Sequence, residues 1–224
     1  MKSFLNYDSP FMTKANLLAD CLFVNLLFVL LCLPIITIGP ACAALSHVSF
    51  SYLEDKPAGV KCFLSAFWEN LRTFLLPWLV VLVAAVMVCF SAYILYAYPI
   101  GGILQIVFCC VLVLLILVLA FMLSQLFFVQ AKFVCSFRYR FTNSVLIALA
   151  HPLRSLLILV LRSLPWILFF CYPYAFAFLT PVWLFFYFSL ANRFAAKLMH
   201  KVYLRLAENH MQQNDDKWDK STRK

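Results

Sequence analysis

The chain has 224 residues, 65% of them apolar and 12% charged, with a mean hydropathy of +0.93. A soluble domain is about half apolar and about a quarter charged, so a single water-soluble core is excluded and the excess apolar surface has to face lipid. The net charge of +9 does not point to nucleic acid, because the Lys and Arg residues sit in connections and the tail, where basic cytoplasmic segments are the ordinary topology signal.

From 16 to 38 the chain is apolar apart from Asn16, Asp20, Asn25 and Thr37. About 23 residues at 1.5 Å each give roughly 35 Å, enough for a hydrocarbon core of about 30 Å. Asp20 opposes insertion by about 3 kcal/mol at most, and the Leu, Ile, Phe and Val residues outweigh it at about −0.3 to −0.6 kcal/mol each. A first span is predicted over 16–38. Ala41-Cys42-Ala43 has the look of a signal-peptide cleavage site, but the apolar run before it is too long for an h-region. Pro34 lacks an amide hydrogen and crowds the Leu30 carbonyl, so the helix should lose regularity there, and Pro40 should close it.

Residues 42–73 read as a polar connection. In its second half Val60, Phe63, Leu64, Phe67, Trp68, Leu71 and Phe74 recur at helical spacing opposite Lys61, Ser65, Glu69 and Arg72. This predicts a short amphipathic helix, lying in the membrane interface or packed on the spans. A second span follows at 74–98, with Pro77 tolerated in its first turn. Pro99-Ile100-Gly101-Gly102 predicts a tight turn, and 103–129 is the third span. Tyr93, Tyr96 and Tyr98 near the turn fit an interfacial belt.

Residues 130–155 carry Lys132, Arg138, Arg140, His151 and Arg154. The apolar stretch after them is too long for one span, and Cys171-Tyr172-Pro173-Tyr174 offers a turn. A fourth span is therefore predicted at 156–172 and a fifth at 174–191. A fourth span at 144–161 would bury His151, Pro152 and Arg154, which is worse than burying Arg162 alone. Beyond 192, Arg193, Lys197, Lys201 and Arg205 form a basic stripe, and Phe194, Leu198, Val202 and Leu206 an apolar one. The expectation is an interfacial helix, then a polar, disordered tail over 208–224. The fold class is thus all-α: a polytopic transmembrane helical bundle of about five spans over 1–192, with short interfacial helices and a cytoplasmic tail over 193–224.

Five spans place fifteen Lys and Arg residues on one side and Lys2 and Lys14 on the other. That predicts a cell-membrane protein with the N-terminus outside and the C-terminus cytoplasmic. A faint echo links Asn70-Leu71-Arg72-Thr73 with Pro152-Leu153-Arg154-Ser155. Each follows helically spaced apolar residues and leads into an apolar hairpin, as in repeat-built transporters.

Chemistry is sparse. No metal-binding motif, phosphate-binding glycine loop or carboxylate pair is present, so no catalytic, cofactor-binding or metal residue is assigned and no cofactor is expected. The nine cysteines read as small reduced hydrophobes. His47, His151, His200 and His210 fall in connections or the tail, as interfacial or solvated groups. The candidate positions are Asp20, Asn25, Pro34, Thr37, Gly39, Pro40, Asn70, Arg72 and Arg162. Asp20 and Arg162 could pair, but they fall toward opposite ends of their spans, and snorkelling to the interfaces is the simpler expectation. Asn25, deepest in the first span, is expected to hydrogen-bond across helices.

The segment from Asn25 to Ala44, with Thr37-Ile38-Gly39-Pro40-Ala41 at its core, resembles the start of the YesL-like family of bacterial membrane proteins. Phe67-Trp68-Glu69-Asn70-Leu71-Arg72, Pro152 and the Asn192-Arg193 pair fit the same resemblance, which covers about residues 15–200. The family is a domain of unknown function. Its members are often encoded beside carbohydrate uptake systems of the ATP-binding-cassette type. The resemblance implies a non-enzymatic accessory component near sugar import or its sensing. Its expected partners are the lipid bilayer and a membrane transporter or sensor complex, not nucleic acid. The alternative is a permease or channel for a small solute in its own right. Against that, the spans offer few polar groups for a sugar path.

Overall fold

The computed structural model describes residues 10–98, 101–133 and 137–222. Helix follows helix, and no strand occurs among the described residues. The chain is an all-α bundle. Four segments are long and apolar enough to cross a membrane: Ile35–Leu53, Leu75–Ala97, Gly102–Lys132 and Pro152–Cys171.

The opening differs from the single span expected over 16–38. Helix α1 (Pro10–Leu31) stops, a 3-10 turn covers Ile35–Thr37, and α2 (Ile38–Leu53) begins. Pro34 is the local cause, since it cannot donate to Leu30. Carbonyls at the break find partners within the chain, although Leu33 to Ile36 are exposed. The Leu33 amide donates to the Leu30 carbonyl at 3.3 Å, and the Thr37 hydroxyl reaches the Leu31 carbonyl at 2.6 Å. Pro40 then falls in the first turn of α2, where an amide hydrogen is not needed.

Helices α1 and α2 form an antiparallel hairpin. Val24 and Phe28 pack with Ala41, Ala44, Leu45 and Val48 near its tip. At its base Asp20 lies against Gly59, six residues beyond the end of α2: a Cβ on Gly59 would sit 3.2 Å from Asp20 Oδ1. Residues 38–53 are therefore not part of a polar connection. They are the most enclosed of the four apolar segments, 61% buried against 6–17% for the others. Ser46 and Ser49 lowered the apparent hydropathy, yet each donates back to its own helix, to Cys42 O at 2.9 Å and Leu45 O at 2.8 Å. Small residues at Gly39, Ala41, Ala43 and Ala44 let the neighbouring backbones approach.

Helix α3 (Val60–Thr73) buries Phe63, Ala66, Phe67 and Asn70 against the hairpin and leaves Trp68 and Arg72 exposed. Its apolar face is thus turned to protein. Helix α4 (Leu75–Ala97) and α5 (Gly102–Lys132) form the next hairpin. Gly101 and Gly102 have φ of 74° and 65°, which explains the glycine pair at that turn. Only the last third of α5, from Met122 to Val129, is largely buried, while Ile103 to Val118 is mostly bare apolar surface.

Helix α6 (Phe137–Ala150) lies on α5 and leads into α7 (Pro152–Cys171). The fifth span expected at 174–191 is not one regular helix. A short α8 (Pro173–Phe178), a helical turn α9 (Thr180–Val182) and a π-helical stretch (Trp183–Tyr187) precede α10 (Phe188–Thr222). Pro173 and Pro181 break the amide ladder there. The tail departs from expectation too: α10 continues to Thr222, so residues 208–222 are helical. Its buried face is Asn192, Ala195, Ala196, Met199 and Tyr203, packed with Phe50, Phe128 and Ile158, whereas Phe194 is exposed. The upper part of α10 is core, not an interfacial helix.

Candidate functional site

One set of buried polar groups, Asn25, Ser49, Ser189 and Asn192, lies where the hairpin meets α7, the π-helical stretch and α10. A π-helical stretch disturbs the regular backbone ladder, and at depth every freed group needs a partner. Asn25, fully buried on α1, supplies three. Its Nδ2 donates to Trp183 O at 3.0 Å and Leu184 O at 2.8 Å, and its Oδ1 accepts the Ser189 amide at 2.7 Å.

One turn along α10, Asn192 Nδ2 donates to Ser49 Oγ at 2.9 Å, and its Oδ1 accepts from Arg162 Nη2 at 3.0 Å. Arg162 comes from the middle of α7. Its guanidinium lies over the rings of Phe127 and Phe128, 5.1 and 4.8 Å from their centroids. Nη1 makes long contacts of 3.4 Å to Leu123 O and Ser124 O. No carboxylate among the described residues is within ion-pair distance of it. Toward α5, Gln125 joins Ser155 at 2.9 Å and Tyr203 at 3.1 Å.

Arg162 and Asn192 stand at the wall of a cavity of about 450 Å³. Phe28, Cys32, Ile38 and Leu45 of the hairpin form one side, and Trp166 and Tyr187 the other. An adjoining apolar cavity of about 230 Å³ shares Val29, Trp166 and Phe188 with it. A lone cation in largely apolar walls can hold an anion; the thiols of Cys32 and Cys42 and the Tyr187 hydroxyl line the same space.

The sequence-derived residues distribute as follows. Arg162 lines the cavity from α7, whereas Asn25 is bound to the π-helical stretch and Ser189 and does not line it. Asp20 is at the hairpin base beside Gly59 and does not meet Arg162. Arg162 does not snorkel; it turns inward. Pro34 and Thr37 shape the break. Gly39 seats the indole of Trp78: a Cβ there would meet Trp78 Cγ and Cδ2 at 2.4 Å. The same indole donates from Nε1 to Ile35 O at 3.2 Å. Asn70 donates to Ala66 O at 2.7 Å and accepts from Gln130 at 2.9 Å, tying α3 to α5. Arg72 is exposed and joins no cluster. His47 is half-buried in α2, 3.8 Å from the Cys62 thiol, not in a solvated connection. Ser49, Trp166 and Tyr187 carried no sequence signal, because a serine, an aromatic and a tyrosine in an apolar run are ordinary there.

Residues 21–92 match the model of a family described as protein of unknown function, DUF624. The matched stretch runs from Cys21 of α1 to Ala92 of α4. It holds the break, Thr37, Gly39, Trp78 and α3, and it stops before Arg162 and Asn192. No curated protein and no solved structure matches the chain.

Proposed function

We propose that the protein is a non-enzymatic membrane component that acts through contacts with another membrane protein. The observation that carries this is the commitment of its buried polar groups to each other. Asn25 serves the π-helical stretch, Gln125 joins Ser155 and Tyr203, and Asn70 meets Gln130. Among the described residues these side chains are paired with one another or with the backbone rather than turned together toward an open space. The α4–α5 hairpin meanwhile presents apolar surface from Ile103 to Val118 to lipid or to partner helices. The resemblance to the YesL-like family suggests the partner class: a carbohydrate uptake system of the ATP-binding-cassette type, or a membrane sensor beside one.

A permease is the second reading, and the cavity at Arg162 favours it. The two separate in one comparison. Native membranes are solubilised and the protein is pulled down, with co-purifying membrane proteins identified by mass. In parallel the purified protein alone is placed in liposomes and assayed for sugar uptake. An accessory component yields a reproducible partner and no uptake. Uptake by the protein alone, without a partner in the pull-down, would replace the first reading with the second.

A further inference from the structure

We infer that the cavity beside Arg162 is a binding site for an amphiphile with a singly charged anionic head and an apolar chain. Three observations lead there. First, the guanidinium has five N–H donors. Its contacts engage Nη2 once, with Asn192 Oδ1, and Nη1 only at 3.4 Å. A positive charge enclosed by Phe127, Phe128 and apolar walls without a carboxylate leaves a large desolvation penalty uncompensated. A planar carboxylate or a phosphodiester fits the open fork. A single cation matches a single negative charge, which disfavours dianionic phosphomonoesters.

Second, most of the wall is apolar: Phe28, Val29, Ile38 and Leu45 offer a sugar no hydrogen-bond partners, and the Tyr187 hydroxyl already donates to Leu161 O at 2.5 Å. The adjoining apolar cavity, behind Val29 and Phe188, extends the space for a chain. Third, the wall includes residues that are open to the outside of the bundle. Ile35 and Trp166 both line the cavity and remain 64% and 63% exposed. Ile35 lies in the break between α1 and α2, which therefore acts as a doorway onto apolar surface. A ligand entering there comes sideways from the bilayer.

The test uses the full-length protein, purified in detergent and stripped of lipid. Binding is read from Trp fluorescence quenching by a brominated long-chain fatty acid, with thermal stability followed alongside. Unlabelled fatty acid, the fatty alcohol of the same chain, phosphatidylglycerol and phosphatidylethanolamine serve as competitors. Because Arg162→Gln alone could disturb folding through Asn192, Ala191→Phe is tested beside it; Ala191 lines the cavity and leaves the guanidinium in place. The expected result is weakening by roughly tenfold or more in both variants: Arg162→Gln loses one charge-assisted contact, and Ala191→Phe fills space that the ligand would occupy. Competition by fatty acid but not alcohol supports the site and names a free carboxylate as its source. Competition by phosphatidylglycerol but not phosphatidylethanolamine supports it and names a bilayer lipid. Equal competition by acid and alcohol overturns the proposal, as does binding unchanged in both variants.

Discussion

Gly39 and Asn25 show how much a single side chain decides here. Gly→Ala in a helix ordinarily stabilises by about 0.5–1 kcal/mol. At Gly39 the sign should reverse, since the new Cβ would overlap the Trp78 ring at 2.4 Å. Gly39→Ala is expected to cost about 1–3 kcal/mol through overpacking. In a Trp78→Ala background the same change should cost little, and a thermal-melt cycle in detergent measures that coupling. Additive melting shifts would show that the indole is not what the glycine accommodates. For Asn25 the informative change is to Asp, which keeps the shape but cannot donate to Trp183 O and Leu184 O. Asn25→Asp should lower stability at least as much as Asn25→Ala, by roughly 1–3 kcal/mol. A silent Asp variant would mean that packing, not hydrogen bonding, holds the π-helical stretch. The sequence made Asn25 visible as a polar group in an apolar run. It could not show Trp183 and Leu184 as partners, because a π-helical stretch leaves no residue-type signature in this chain.

At the scale of elements, the chain repeats one arrangement. A 14-residue helix precedes each hairpin: α3 before α4–α5, and α6 before α7–α10. Each junction is anchored to α5, Asn70 through Gln130 and Ser155 through Gln125. The amphipathic spacing of α3 and the lengths of α4, α5 and α7 were legible, because apolar length and period are sequence properties. Helix α2 was not. Its serines read as polar, and only the fold reveals that they bond inward while small residues admit neighbours. Where α2 ends, Glu54 is held by Lys132 and Lys56. Burial alone would raise its pKa, but the hydrogen bonds and charges of Lys132 and then Lys56 more than offset that, holding the carboxyl below its ordinary value of 4.5. The sign follows from a depressed folded-state pKa. The stabilisation is fully present above about pH 4.5 and is lost as pH falls through the lowered value. Melting temperature should therefore drop on acidification below that point, and Glu54→Gln should reduce the drop. An unchanged acid limb in Glu54→Gln would assign the acid sensitivity to other carboxyls.

For the molecule as a whole, the hairpin at Pro34 changes the expected topology. A single crossing over 16–38 would put the N-terminus opposite the first connection. With α1 and α2 antiparallel, the start of α1 and the end of α2 share an end, as the contact between Asp20 and Gly59 requires. This holds whether the pair crosses the bilayer fully or dips into it and returns, since either path crosses an even number of times. The same end carries Lys132 against Glu54, and His151, Arg154, Lys201 and Arg205 around one groove. The opposite end bears the exposed Tyr96, Tyr98, Tyr172 and Tyr174, and its turns, 97–102 and 171–180, contain no Lys or Arg. Lys2 and Lys14 then join the basic side, and the positive-inside bias, fifteen to two under a single crossing, becomes complete apart from the enclosed Arg162. The expected topology has both termini in the cytoplasm. Reporter fusions at the N-terminus and after Pro57, Gly101, Arg140 and Lys224 test it. Only the Gly101 fusion should report the outside. An outside N-terminus together with an inside signal after Pro57 would require an odd number of crossings before α3, and the α1–α2 hairpin would then be wrong.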